Sequence, residues 1–134
     1  MTDYRIAILP GDGTGREVAL EAAKILNTIQ ENSNYGFDLL DIPCGGQLYQ
    51  ETGKEWEEGS FGLCRDEADA IFLGAIGQPG AYLPNGDLAG GSVILGLRSG
   101  LDLYANVRPV KLFDGVLHRF TVNFAKYGSL KWSI

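Results

Sequence analysis

The stretch LPGDGTGREV, residues 9–18, decides the fold because a glycine turn here joins a strand pattern to a helix pattern. The short apolar run at residues 4–10 ends in Pro-Gly and predicts a buried strand. From Val18 onward, apolar residues recur along one helical face, which predicts a helix over residues 15–32. Thr14 followed three residues later by Glu17 predicts a capping box at its start.

The alternation of strands and helices continues beyond this helix. Residues 37–42 predict a second strand, and residues 47–52 predict a short helix that ends at Gly53. The continuous apolar run AIFLGAI at residues 70–76 is typical of a strand buried on both faces. This order predicts an α/β fold with a doubly wound, mostly parallel sheet.

The glycine turn is the first candidate ligand site. Glycines at this position let the backbone approach a ligand, and the following helix offers free N–H groups to an anion. The spacing departs from G-x-G-x-x-G, because the third glycine comes one residue early. Two interpretations stay open at this point, a ligand-binding turn and a tight turn with no ligand.

Two arginines form the second candidate site. Residues 92–100 predict a short helix, and residues 101–107 alternate like a half-buried strand. Arg98 and Arg108 would then project from adjacent elements, and two guanidinium groups can clamp carboxylates. The alternative is that both arginines form separate surface ion pairs. A third cluster, Glu55, Glu57 and Glu58, is interpreted as a solvated face.

Charge and composition exclude several classes of protein. The net charge of −6 in 134 residues disfavours nucleic acid as a partner. Residues 1–67 carry 13 acidic and 5 basic residues, whereas residues 68–134 carry 4 acidic and 6 basic residues. Because the second half has a small positive charge, an anionic ligand is expected near it. No apolar run predicts a membrane segment. The two cysteines, Cys44 and Cys64, have no metal or redox spacing and predict reduced core residues of a cytoplasmic protein.

Three segments together resemble one enzyme family. Residues 9–18, 68–77 and 97–111 resemble, in order and spacing, the NAD(P)-dependent β-decarboxylating dehydrogenases, the isocitrate/isopropylmalate dehydrogenase family. The resemblance covers residues 4 to about 116. It implies a partial α/β domain over residues 1–116, corresponding to the N-terminal third of that fold, and a divergent tail over residues 117–134.

The resemblance also implies a reaction and a set of ligands. The family oxidises a 2-hydroxy acid with NAD and then removes CO2 with the help of Mg²⁺ or Mn²⁺. Arg98 and Arg108 match arginines that grip the malate part of the substrate. Ser92 and Ile94 match positions at the substrate γ-group, and Thr14 and Ile94 match positions beside the cofactor. An apolar Ile94 favours a 3-isopropylmalate-like γ-group over the isocitrate type. A tartrate/D-malate or isocitrate-type dehydrogenase is the alternative within the family.

The resemblance further implies a homodimer and an incomplete chain. The family's third substrate arginine, tyrosine acid, lysine base and metal-binding aspartates have no match in residues 1–134. We therefore expect a fragment with no catalytic residue and no metal ligand of its own. The alternative from another class is a non-catalytic α/β module that binds a carboxylate ligand.

Overall fold

The computed structural model describes residues 2–109. Three strands are present: β1 (Thr2–Leu9), β2 (Tyr35–Asp41) and β3 (Ala70–Leu73). The helices are α1 (Thr14–Glu31), α2 (Gly46–Thr52), the single turn α3 (Ser60–Gly62), which continues into a π-helical turn at Leu63–Glu67, and α4 (Gly91–Gly100). Within the described part of the chain, no helix is long and apolar enough to cross a membrane.

The strands form one parallel sheet in the order β2-β1-β3. Ile6 in the central strand lies opposite Leu39 of β2 and Ala70 of β3. The predicted α/β class with a parallel sheet is confirmed. Because the strands are parallel, their carboxyl ends meet at one edge, and the loops that follow β1 and β3 lie side by side there.

The predicted capping box is wrong. The residue at the N-cap of α1 is Gly13, with φ 49°, and no side chain caps this helix. Thr14 is already the first helical residue. Its hydroxyl therefore lies one position too late in the chain to accept the hydrogen bond that a capping side chain accepts.

The prediction that β3 is buried on both faces is also wrong. The strand ends at Leu73, and its end residues, Ala70 and Leu73, are exposed. It pairs on one side with β1, and no strand among residues 2–109 pairs with its other side. The faces of a strand are buried only where other elements pack on both sides of the sheet. The apolar run alone therefore did not determine burial.

The strand predicted over residues 101–107 is absent. Residues 103–109 form no regular secondary structure, and the N–H of Leu103 instead donates to the carbonyl of Arg98 at 3.3 Å. An alternating pattern becomes a strand only when a partner supplies ladder hydrogen bonds. Residues 2 to 104 belong to one compact unit, and Ala105 begins a second unit. The predicted tail over residues 117–134 lies outside the described residues.

The core lies between the sheet and α4. Its buried members are Ala7, Leu9, Ile42, Cys44, Cys64, Val93 and Leu97. Trp56 and Phe61 pack against this cluster and against each other, with ring centroids 6.2 Å apart. Both cysteines are free and buried, as predicted.

Burial of Cys44 predicts a stability loss at alkaline pH. Desolvation raises the pKa of the Cys44 thiol from 9.0 to about 11. Well below pH 9 the thiol is protonated in both states, so it contributes no pH dependence there. Between pH 9 and 11 only the unfolded chain releases this proton, so the free energy of unfolding falls as pH rises. We expect this thiol to remove about 2 kcal/mol between pH 8 and 10.5.

Urea unfolding at both pH values would measure this loss. The Cys44→Ala variant is the control. Other groups titrate in the same pH range in both proteins, so the difference between the two proteins isolates the Cys44 thiol. The same pH dependence in both proteins would contradict the prediction.

Candidate functional site

The glycine turn is held in place by one buried carboxylate. Asp12 is 3% exposed. Its side-chain oxygens accept hydrogen bonds from the backbone N–H groups of Gly46 at 2.8 Å, Gln47 at 2.9 Å and Gly77 at 2.9 Å. The backbone N–H of Asp12 donates to the carbonyl of Ala75 at 2.8 Å. Asp12 thus joins the turn after β1, the start of α2 and the loop after β3.

The turn is closed on one side and open on the other. A Cβ atom on Gly15 would lie 2.6 Å from both the nitrogen and the carbonyl oxygen of Ala75, so only glycine fits there. A Cβ on Gly13 would meet nothing within 4 Å. Thr14, which follows at the first position of α1, is also exposed. The open side leaves room for a ligand next to the start of α1.

Helix α4 presents a polar and apolar pair beside β3. Val93 and Leu97 are buried, whereas Ile94 is half-buried and Arg98 is exposed. Ile94 and Arg98 are four residues apart and share one helical face. Together with Ala70, Ile71 and Leu73 they line a groove of about 460 Å³. Within residues 2–109, Arg98 forms no ion pair.

The start of α4 contains a contact that the sequence pattern did not predict. The Glu55 carboxylate accepts hydrogen bonds from the backbone N–H groups of Gly90 and, at 3.3 Å, Ser92. The interpretation of Glu55 as part of a solvated face is therefore wrong, and its side chain is half-buried. The one signal lies in α4 itself, because its cap position, Gly90, and its first residue, Gly91, offer no side chain to cap the helix.

The second predicted arginine lies in another unit. Arg108 belongs to the unit that begins at Ala105, and its side chain is exposed. The expected convergence of Arg98 and Arg108 on one carboxylate ligand stays a prediction.

The described residues do not fit a metal centre. Between residues 2 and 109, no three His, Cys, Asp or Glu side chains come together in a way that could hold an ion. The Asp12 carboxylate, the most buried acidic group of this range, already accepts hydrogen bonds from three backbone N–H groups.

Comparison with known proteins identifies the family. A family model described as isocitrate/isopropylmalate dehydrogenase matches residues 5–125. The chain belongs to this family. A 3-isopropylmalate dehydrogenase of Desulfitobacterium hafniense is 37% identical over 119 residues, which are 88% of this chain and 34% of the relative. One of Bacillus caldotenax is 39% identical over 119 residues, 89% of this chain and 32% of the relative.

The solved structure of a β-decarboxylating dehydrogenase has a similar fold. The apo form of a β-decarboxylating dehydrogenase from Thermococcus kodakarensis is 34% identical, with a TM-score of 0.55. The match covers 75% of this chain and 27% of that structure. The chain spans about a third of the length of the curated relatives it matches. The family resemblance predicted from the three segments is confirmed.

Proposed function

We propose that this chain carries some of the ligand-binding residues of an NAD-dependent β-decarboxylating dehydrogenase. The proposed substrate is a 3-isopropylmalate-like 2-hydroxy acid. The observation that carries this proposal is the face of α4 that holds Arg98 and Ile94. An exposed guanidinium without an ion pair among residues 2–109 is available to a substrate carboxylate. One helical turn away, a half-buried isoleucine suits an uncharged branched γ-group.

Each predicted site residue has a role in this proposal. Arg98 and Arg108 grip the malate part of the substrate, and Ser92 and Ile94 contact its γ-group. Thr14 lies beside NAD, and Ile94 contacts the nicotinamide, which accepts the hydride when NAD is bound. The open side of the glycine turn at Gly13 supports a cofactor position beside Thr14.

The rest of the proposed enzyme follows from the family. We include Mg²⁺ or Mn²⁺, a homodimer and a cytoplasmic location in the proposal. The described residues bind and orient ligands in it, and they supply neither a metal site nor a catalytic acid or base. We therefore expect the 134-residue chain by itself to show no turnover of a malate-type substrate.

Substitution of Arg98 tests the proposal. We expect the purified chain to bind 3-isopropylmalate and Arg98→Ala to bind it at least roughly tenfold more weakly, because a charge-assisted hydrogen bond is lost. Titration followed by NMR measures both affinities. Arg65→Ala is the matched control, since Arg65 is exposed and already bonded to Asp66 at 2.7 Å.

Titrations of the same proteins with isocitrate, D-malate and NAD separate the other candidate functions. Tighter binding of isocitrate or D-malate than of 3-isopropylmalate would favour the corresponding dehydrogenase types. Carboxylate binding without any response to NAD would favour the non-catalytic module. Equal affinities of Arg98→Ala and Arg65→Ala would contradict the proposed role of Arg98.

A further inference from the structure

The segment that contains Glu55 is fixed relative to the start of α4. The carbonyl of Glu55 accepts a hydrogen bond from the N–H of Gly45 at 2.8 Å, and the next residue, Trp56, forms an antiparallel bridge with Cys44. The Trp56 ring also packs against α4, where a Cβ on Gly96 would lie 3.7 Å from it. The Glu55 main chain is therefore held from two sides, which limits where its carboxylate can lie.

That carboxylate occupies the N-terminus of α4. It accepts hydrogen bonds from the N–H groups of Gly90 and Ser92, which are free donors at the beginning of a helix. The first turn of α4 contains no acidic residue of its own, and its cap position is glycine. Glu55 thus supplies the negative charge that the helix dipole favours, and it does so from a distant segment of the chain.

We propose that Glu55 is a specificity-determining residue that disfavours substrates carrying a γ-carboxylate. The inference rests on the proposed function, which places the substrate γ-group at Ser92 and Ile94. A γ-carboxylate beside Ser92 would lie close to the Glu55 carboxylate, and like charges at that separation repel. It would also find the N–H groups of Gly90 and Ser92 already engaged. An apolar γ-group loses nothing there, because it needs neither a donor nor a counter-charge.

The other charges on α4 do not offset this effect. The first turn of the helix has no basic side chain, and the one basic residue of its last turn is Arg98. In the proposed function Arg98 binds the malate part, which 3-isopropylmalate and isocitrate share. Discrimination between the two acids therefore depends on the groups around Ser92. There the Glu55 carboxylate already accepts hydrogen bonds from the backbone N–H groups of Gly90 and Ser92. Specificity through a repulsive element is a common device in binding sites.

The variant Glu55→Gln tests the proposal in the full chain. The glutamine carbonyl oxygen can still accept hydrogen bonds from Gly90 and Ser92, so the helix stays capped while the charge is removed. Amide NMR signals of Gly90 and Ser92 check that the cap persists. We expect the affinity for isocitrate relative to 3-isopropylmalate to rise at least roughly tenfold. Glu58→Gln, an exposed acidic residue three positions away, is the control for the overall change in charge.

The outcomes distinguish the inference from the proposed function. A rise in relative isocitrate affinity for Glu55→Gln alone supports the inference. If the unsubstituted chain binds 3-isopropylmalate but Glu55→Gln leaves the ratio unchanged, or matches Glu58→Gln, the inference is overturned and the proposed function stands. If neither acid binds to any of the three proteins, the proposed function fails and the inference fails with it.

Discussion

Replacing Gly15 by alanine is expected to destabilise the chain by about 3 kcal/mol or more. Gly15 is buried at the start of α1, between the carbonyl of Pro10 and the backbone of Ala75. The added methyl group would collide with main-chain atoms on both sides, and main chain cannot rotate away as a side chain can. Overpacking of this kind commonly costs about 1–3 kcal/mol, and here the loops after β1 and β3 must also separate.

Gly62→Ala is the matched control for Gly15→Ala. Gly62 has helical backbone angles, φ −61° and ψ −44°, and apart from neighbouring main-chain atoms the nearest atom to an added Cβ is 4.0 Å away. We expect this variant to be neutral or more stable by about 0.5–1 kcal/mol, because alanine loses less backbone entropy than glycine in a helix. Urea unfolding followed by circular dichroism measures both. Similar stabilities of the two variants would mean that the close approach at Gly15 is not a tight constraint.

Removing the Asp12 carboxylate is expected to destabilise the chain by about 4 kcal/mol. Asp12→Ala would leave the N–H groups of Gly46, Gln47 and Gly77 without their acceptor. Hydrogen bonds to a charged group contribute about 1.5–3 kcal/mol each, and water entering the gap recovers part of the loss. The same substitution removes the tie between the glycine turn and the start of α2.

Two variants calibrate the effect of Asp12→Ala in thermal unfolding. Asp12→Asn keeps one side-chain oxygen, so we expect a loss between those of the unsubstituted chain and Asp12→Ala. Asp87→Ala removes an exposed carboxylate whose side-chain hydrogen bond joins it to Asn85, and we expect a change within about 0.5 kcal/mol. An Asp12→Ala protein as stable as Asp87→Ala would contradict the role of Asp12 as a tie between three segments.

The local elements were predictable because their signals are contained in short stretches of chain. The apolar run before Pro10 indicates β1, and the periodicity from Val18 indicates α1, whose observed bounds are Thr14–Glu31. Gly53 ends α2 in the left-handed conformation, φ 77°, as a terminal glycine commonly does. The segments that carry the family resemblance are equally local, so the family was also accessible from sequence.

The site was only partly predictable. Arg98 and Ile94 share a face because they are four residues apart on a helix, and that spacing is visible in the sequence. Asp12 lies within the glycine turn that the sequence predicts, but its three backbone partners are 34, 35 and 65 positions away along the chain. Glu55 looked like one of several surface acids, and no local pattern connects it to Gly90.

The sequence by itself determined the α/β class, the first strand–turn–helix unit and the family, because each depends on periodicity, turn residues or a contiguous motif. Only the tertiary structure decided which apolar strand is covered, which carboxylates are buried and which residue caps α4. Those properties depend on partners distant in the chain, and a side chain's environment follows from what packs against it. The exposed ends of β3, the buried Asp12 and the capping Glu55 share this origin.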